Sequence, residues 1–176
     1  MNEFDPRNTN LQSFFHHSLR TVMRDELDFP ENQAAEQYLV NLLLTCLHQD
    51  TIFRLRNSEG KTVTSVAEML LEGDVRFNAK SFEREREVHR HIGDLLLFWS
   101  GIFPEFGRKV LQLPLGIDSS EQGRASYHIA STFDYDPYGE EAKIFRQLSD
   151  GFDAYRFGLK RVRASFQGIG IQGYSA

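Results

Sequence analysis

Residues 87–105, EVHRHIGDLLLFWSGIFPE, constrain the fold more than any other part of this chain. A charged stretch runs there into an apolar block, with Asp94 at the junction. Consecutive helical residues are turned by about 100°, so the run Leu95, Leu96, Leu97, Phe98 and Trp99 covers every side of a helix. Such a segment has to be enclosed by neighbouring helices. A carboxylate beside it needs a partner, because a buried charge without one is costly. Arg124 and Arg156 are the candidate partners.

The remaining periodicities supply the neighbours. Asn10 is placed to cap a helix carrying Leu11, Phe15, Leu19 and Val22 and running to about Leu27. Pro30 suits the first turn of a second helix, with Ala35, Leu39, Leu42 and Cys46 on one face. Residues 51–64 alternate loosely around Asn57, Ser58, Glu59 and Gly60 and predict a short hairpin or an irregular loop. Ser65 and Glu68 have the spacing of a capping box opening a short helix that ends near Gly73. A charged stretch from Ser81 leads into the enclosed segment, Pro104 breaks it, and a helix follows near residues 120–133. The residues Phe145, Leu148, Phe152, Tyr155, Leu159, Val162 and Phe166 recur every three or four positions and predict one continuous helix. Glu140 and Glu141 lie near its positive end, and Lys160, Arg161 and Arg163 near its negative end.

These elements make an all-α, single-domain bundle of five to seven helices over residues 10–166. Residues 1–9 and 167–176 are expected to be flexible ends. With 176 residues the chain can bury a core without disulfides or metals, and fifteen Phe, six Tyr and one Trp make that core bulky. Cys46 is the single cysteine, which excludes an intramolecular disulfide and fits a reducing, cytoplasmic setting. No apolar run is long enough for a membrane span, and a net charge of −5 argues against a surface built for nucleic acid.

The segments RHIGDLLLFWSGIFPE, SYHIASTFD and FRQLSDGFDAYRFGLKRVR resemble a family of uncharacterised bacterial proteins of similar length. The resemblance extends from about Phe14 to Phe166 and is most specific at Gly93-Asp94, Ser100-Gly101 and Phe103-Pro104-Glu105. It implies an all-helical single domain and carries over no catalytic residue.

Several catalytic patterns occur in part and fail. The GxGxxG match at 168–173 lacks the following helix that a dinucleotide site requires. Before Gly60-Lys61-Thr62, Leu55 stands where a phosphate loop needs glycine. The calcium-loop mimic that begins at Asp134 has Tyr138 and Phe145 at ligand positions. No glutamate precedes a histidine by three, so the di-iron bundle signature is missing, and no metal or cofactor is expected. Cys46 lies among leucines and reads as an inert thiol.

Two sets of candidate functional residues remain. His91 and Asp94, on one helix face with Glu87, are the candidate ligand-binding residues. A solvated Glu–His pair beside a charge-paired aspartate outweighs a cation site there. Gly151, Gly158 and Ser165 fall seven apart, and because glycine inside a helix costs about 1 kcal/mol relative to alanine, they predict a close approach by another helix and a candidate interface. By elimination, the sequence favours a non-catalytic protein acting through protein contacts or self-association. The alternative is a helical protein with a small-ligand or metal pocket around Asp94. A deep pocket containing Asp94 and at least two further convergent polar groups would favour that alternative.

Overall fold

The computed structural model of the chain describes residues 6–46 and 52–168, and over these it is all-helical. The eight helices are α1 (Pro6–Asp25), α2 (Gln33–Cys46), α3 (Val66–Glu72), α4 (Phe82–Ile102), α5 (Pro104–Val110), α6 (Ser119–Ser131), α7 (Gly139–Asp150) and α8 (Phe152–Gly168). The count exceeds the expected five to seven because the long helix predicted over 145–166 is two helices and because α5 forms directly after Pro104. Residues 169–176, the greater part of the expected C-terminal tail, lie outside the described residues, as do 1–5.

Helix α4 is the centre of the bundle. It packs against α2, α3, α5, α6 and α8, while α1 lies across α2 and α8, and α7 across α2 and α6. Every residue from His91 to Phe98 is buried, as a run that is apolar on all sides of a helix demands. The close fit of α6 depends on Gly93: a Cβ there would stand 2.8 Å from the ring of Tyr127. The charged first half of α4 is started by Ser81, whose side chain accepts a hydrogen bond from the amide of Arg84 at 3.1 Å.

Local signals differ from the sequence reading at three points. Helix α1 begins at Pro6, so Asn10 lies inside it and does not cap it. Helix α2 begins after Asn32, whose Oδ1 accepts from the Ala35 amide at 2.9 Å; Pro30 stays in the preceding turn, which Asp28 makes with φ of 47°. Helix α3 starts where expected, but Ser65 makes no side-chain cap, so the predicted capping box does not form. Residues 52–65, expected as a short hairpin or an irregular loop, form a loop with one antiparallel bridge, Arg56 to Thr62, around Gly60 with φ of 75°. That turn still matters, because Leu55 and Val63 are buried in the core and Arg54 is carried to the side of α4.

The seam over 145–166 is interrupted at Gly151. Phe145, Leu148, Phe152, Tyr155, Leu159 and Val162 are all buried, so its apolar residues were correctly grouped, but glycine ends α7 and α8 starts at the next residue. Packing requires glycine there: a Cβ on Gly151 would stand 2.7 Å from the ring of Phe29. Gly158 does lie within a helix, and a Cβ there would stand 2.9 Å from the Met23 sulfur of α1. The predicted close approach is therefore made by this chain's own α1 and the turn after it. Ser165 is exposed and bonds only to the Arg161 carbonyl, at 3.2 Å.

Candidate functional site: the pocket at Asp94

Three helices meet at Asp94. Its Oδ1 accepts from the Tyr38 hydroxyl of α2 at 2.7 Å and from the Tyr127 hydroxyl of α6 at 2.8 Å. Both rings are positioned by Phe145 of α7, against which Tyr38 stands edge-on at 5.6 Å and Tyr127 lies stacked at 5.9 Å. A core aromatic thus sets two phenols at the angle from which they reach one carboxylate oxygen.

The other oxygen, Oδ2, faces Arg90 at 3.9 Å, one turn earlier on α4. Arg90 also donates to the Tyr38 oxygen at 3.3 Å and approaches Glu141 at 3.9 Å. Glu141 accepts from the buried Arg86, whose guanidinium lies 4.1 Å from the centre of the Tyr138 ring. A continuous polar chain therefore links Asp94 to α2, α6 and α7.

Burial pushes the Asp94 carboxyl above the usual carboxylate range, opposed by the Tyr38 bond, the charge of Arg90 and the Tyr127 bond. The same burial and the adjacent Asp94 charge hold both phenols well above their ordinary value, so they remain donors. Arg124 and Arg156, the partners expected from the sequence, are elsewhere: both pair with Asp153, at 2.5 and 3.3 Å.

A pocket of about 120 Å³ opens over this network. It is lined by Arg54, Leu55, Glu87, Arg90, His91 and Asp94. His91 is buried, its Nε2 has no hydrogen-bond partner, and burial with the neighbouring charges of Arg54, Arg90 and Arg84 holds its pKa down at about 3. Glu87 is exposed and pairs with Arg84 at 3.0 Å. The structure thus brings together the predicted pair His91 and Asp94 with Glu87. Sequence reasoning missed Arg54, Arg90, Tyr38 and Tyr127; of these, Arg90 carries a signal that could have found it, its i, i+4 spacing to Asp94.

No protein-family model, curated protein or solved structure matches this chain. The chemistry has to be judged on the geometry alone. Among the described residues no three His, Cys, Asp or Glu side chains are grouped so as to hold a metal ion. Among them, too, no helix is long and apolar enough to cross a membrane. Cys46 is buried and its thiol is pushed up to about 12, chiefly by burial, so it is a poor nucleophile. The C-terminal cations are largely committed, with Arg163 bonded to Glu105 at 2.5 Å and Arg161 to Glu26 at 2.8 Å.

Proposed function

We propose that this chain binds a small polar ligand, of at most about ten non-hydrogen atoms, in the pocket over Asp94. The observation that carries the reading is the convergence of five polar side chains, Arg54, Glu87, Arg90, His91 and Asp94, on a volume of about 120 Å³. Charges of both signs line it, which suits a ligand carrying both acceptors and donors. The alternative weighed from the sequence is thereby preferred to a purely structural role for Asp94.

Binding is favoured over catalysis. One carboxylate oxygen of Asp94 already receives two phenol hydrogens, which occupies the lone pairs that would take a substrate proton there, and both phenols are held protonated. The lone buried thiol fits a cytoplasmic setting.

The test is a thermal-shift screen of small polar compounds, including amino acids and hydroxy acids. It would compare the wild type with Arg54→Gln and Glu87→Gln, changes at exposed positions that spare the Asp94 hydrogen bonds. A ligand at a hundredfold excess over its Kd stabilises by about 2.7 kcal/mol, several degrees in Tm, and both variants should reduce that shift. A screen in which no compound shifts the wild type more than the variants would defeat the proposal.

A second reading, self-association, is favoured by a separate observation. Leu71, Val75, Phe77 and Phe82 are all exposed within a short stretch from the end of α3 to the start of α4. Light scattering should then give a mass that rises with concentration for the wild type and stays monomeric for Phe77→Ser/Phe82→Ser. A wild type that is monomeric throughout would remove this reading.

A further inference from the structure

A second pocket, of about 150 Å³, lies on the other side of α4, between α5 and the segment leading into α6. Its walls include Leu96, Trp99, Leu111 and Leu113, and its charged lining consists of Arg108 and Arg156, with no carboxylate. It therefore differs in chemistry from the pocket over Asp94, where both signs of charge occur.

We infer that this pocket binds a small organic carboxylate with a short apolar body. The body fits against the leucines and the indole, and the carboxylate takes the cation at Arg156. The two arginines have different roles. Arg108 is committed to the loop, donating to the carbonyls of Ile117 at 3.1 Å and Pro114 at 3.4 Å. Among the described residues Arg156 pairs with Asp153, at 3.3 Å, and that carboxylate already accepts from Arg124 at 2.5 Å and from Ser120. Arg156 thus has guanidinium donors to spare, in the geometry that suits a carboxylate.

Trp99 gives the pocket its aromatic wall. A carboxylate supplies the acceptors that the unspent donors of Arg156 lack. Gly107 lets α5 lie close on α4 at the pocket wall, since a Cβ there would stand 3.1 Å from the Trp99 Cβ.

Trp99 is the single tryptophan of the chain, so its fluorescence reports the pocket directly. Butyrate, titrated into the full-length protein, should change the emission saturably and bind at least about tenfold more tightly than 1-butanol or butylamine. Arg156→Gln should weaken butyrate by roughly tenfold while leaving butanol unchanged, and Arg156→Lys should retain part of the affinity. Isothermal calorimetry gives the same comparison without relying on the fluorophore. Equal responses to the acid, alcohol and amine would overturn the inference, as would no saturable response to butyrate or unchanged butyrate affinity in both Arg156 variants.

Discussion

Replacing Asp94 by leucine is expected to destabilise the fold by about 3–5 kcal/mol, one of the two largest effects foreseen for this chain. The loss does not come from the carboxylate's own solvation, which burial already makes unfavourable. It comes from the partners. Tyr127, fully buried, and Tyr38 would each keep a hydroxyl with no acceptor, and each orphaned group costs about 1–3 kcal/mol. Arg90 would keep Glu141 but lose the nearby charge on its own helix. Asp94→Asn, which retains an accepting oxygen, should cost about half as much. The combination Asp94→Leu/Tyr38→Phe/Tyr127→Phe should recover most of the stability, because all members of the polar triad are then apolar. Denaturant unfolding of the four proteins measures this. A triple variant as unstable as the single one would show that the hydrogen bonds are not the cause.

Acidification should remove on the order of 4 kcal/mol of stability through His91 alone. In the unfolded chain this histidine takes up its proton near the model value of 6.5; in the fold it does so only near 3. Between those values the unfolded state binds the extra proton, so stability falls as pH drops, by up to about 1.4 kcal/mol per pH unit. Above 6.5 the contribution is complete. Asp94 acts in the opposite direction, since its raised folded pKa adds stability as pH falls through it. His89, also held down by burial, adds to the acid sensitivity. Comparing wild type with His91→Gln isolates the residue, because the Asp94 and His89 contributions largely cancel. The variant's stability should depend less steeply on pH between about 6 and 4. Parallel pH profiles would mean that His91 titrates normally.

Much of this architecture was legible because local periodicity and burial agree. The run from Leu95 to Trp99 called for enclosure, and Leu95 to Phe98 are buried, with Trp99 partly so. The apolar seam residues from Phe145 to Val162 do share the core, and Gly158 does admit another helix. What was not legible depends on long-range geometry. Asp94 required a partner, but Tyr38 and Tyr127 lie 56 and 33 residues away and carry no spacing that announces them. Arginines looked more probable as partners because charge pairing is the commoner solution, yet Arg124 and Arg156 are used by Asp153. Arg54 joins the pocket only through the turn around Gly60, whose bridge at Arg56 and Thr62 fixes how the chain returns to the core. The need for glycine at 151 depends on where Phe29 lands, again a tertiary contact that no helical period encodes.

The central claim is that the pocket over Asp94 exists to hold a small polar molecule, and the most direct test is what the protein carries. Freshly purified wild type and the Arg54→Gln/Glu87→Gln double variant would be denatured, and the released small molecules identified by mass spectrometry. The account predicts one polar compound of at most about ten non-hydrogen atoms, enriched from the wild type, depleted from the variant, and able to raise the wild-type Tm when added back. Identical background from both proteins, together with no stabilising compound in the polar screen, would contradict it.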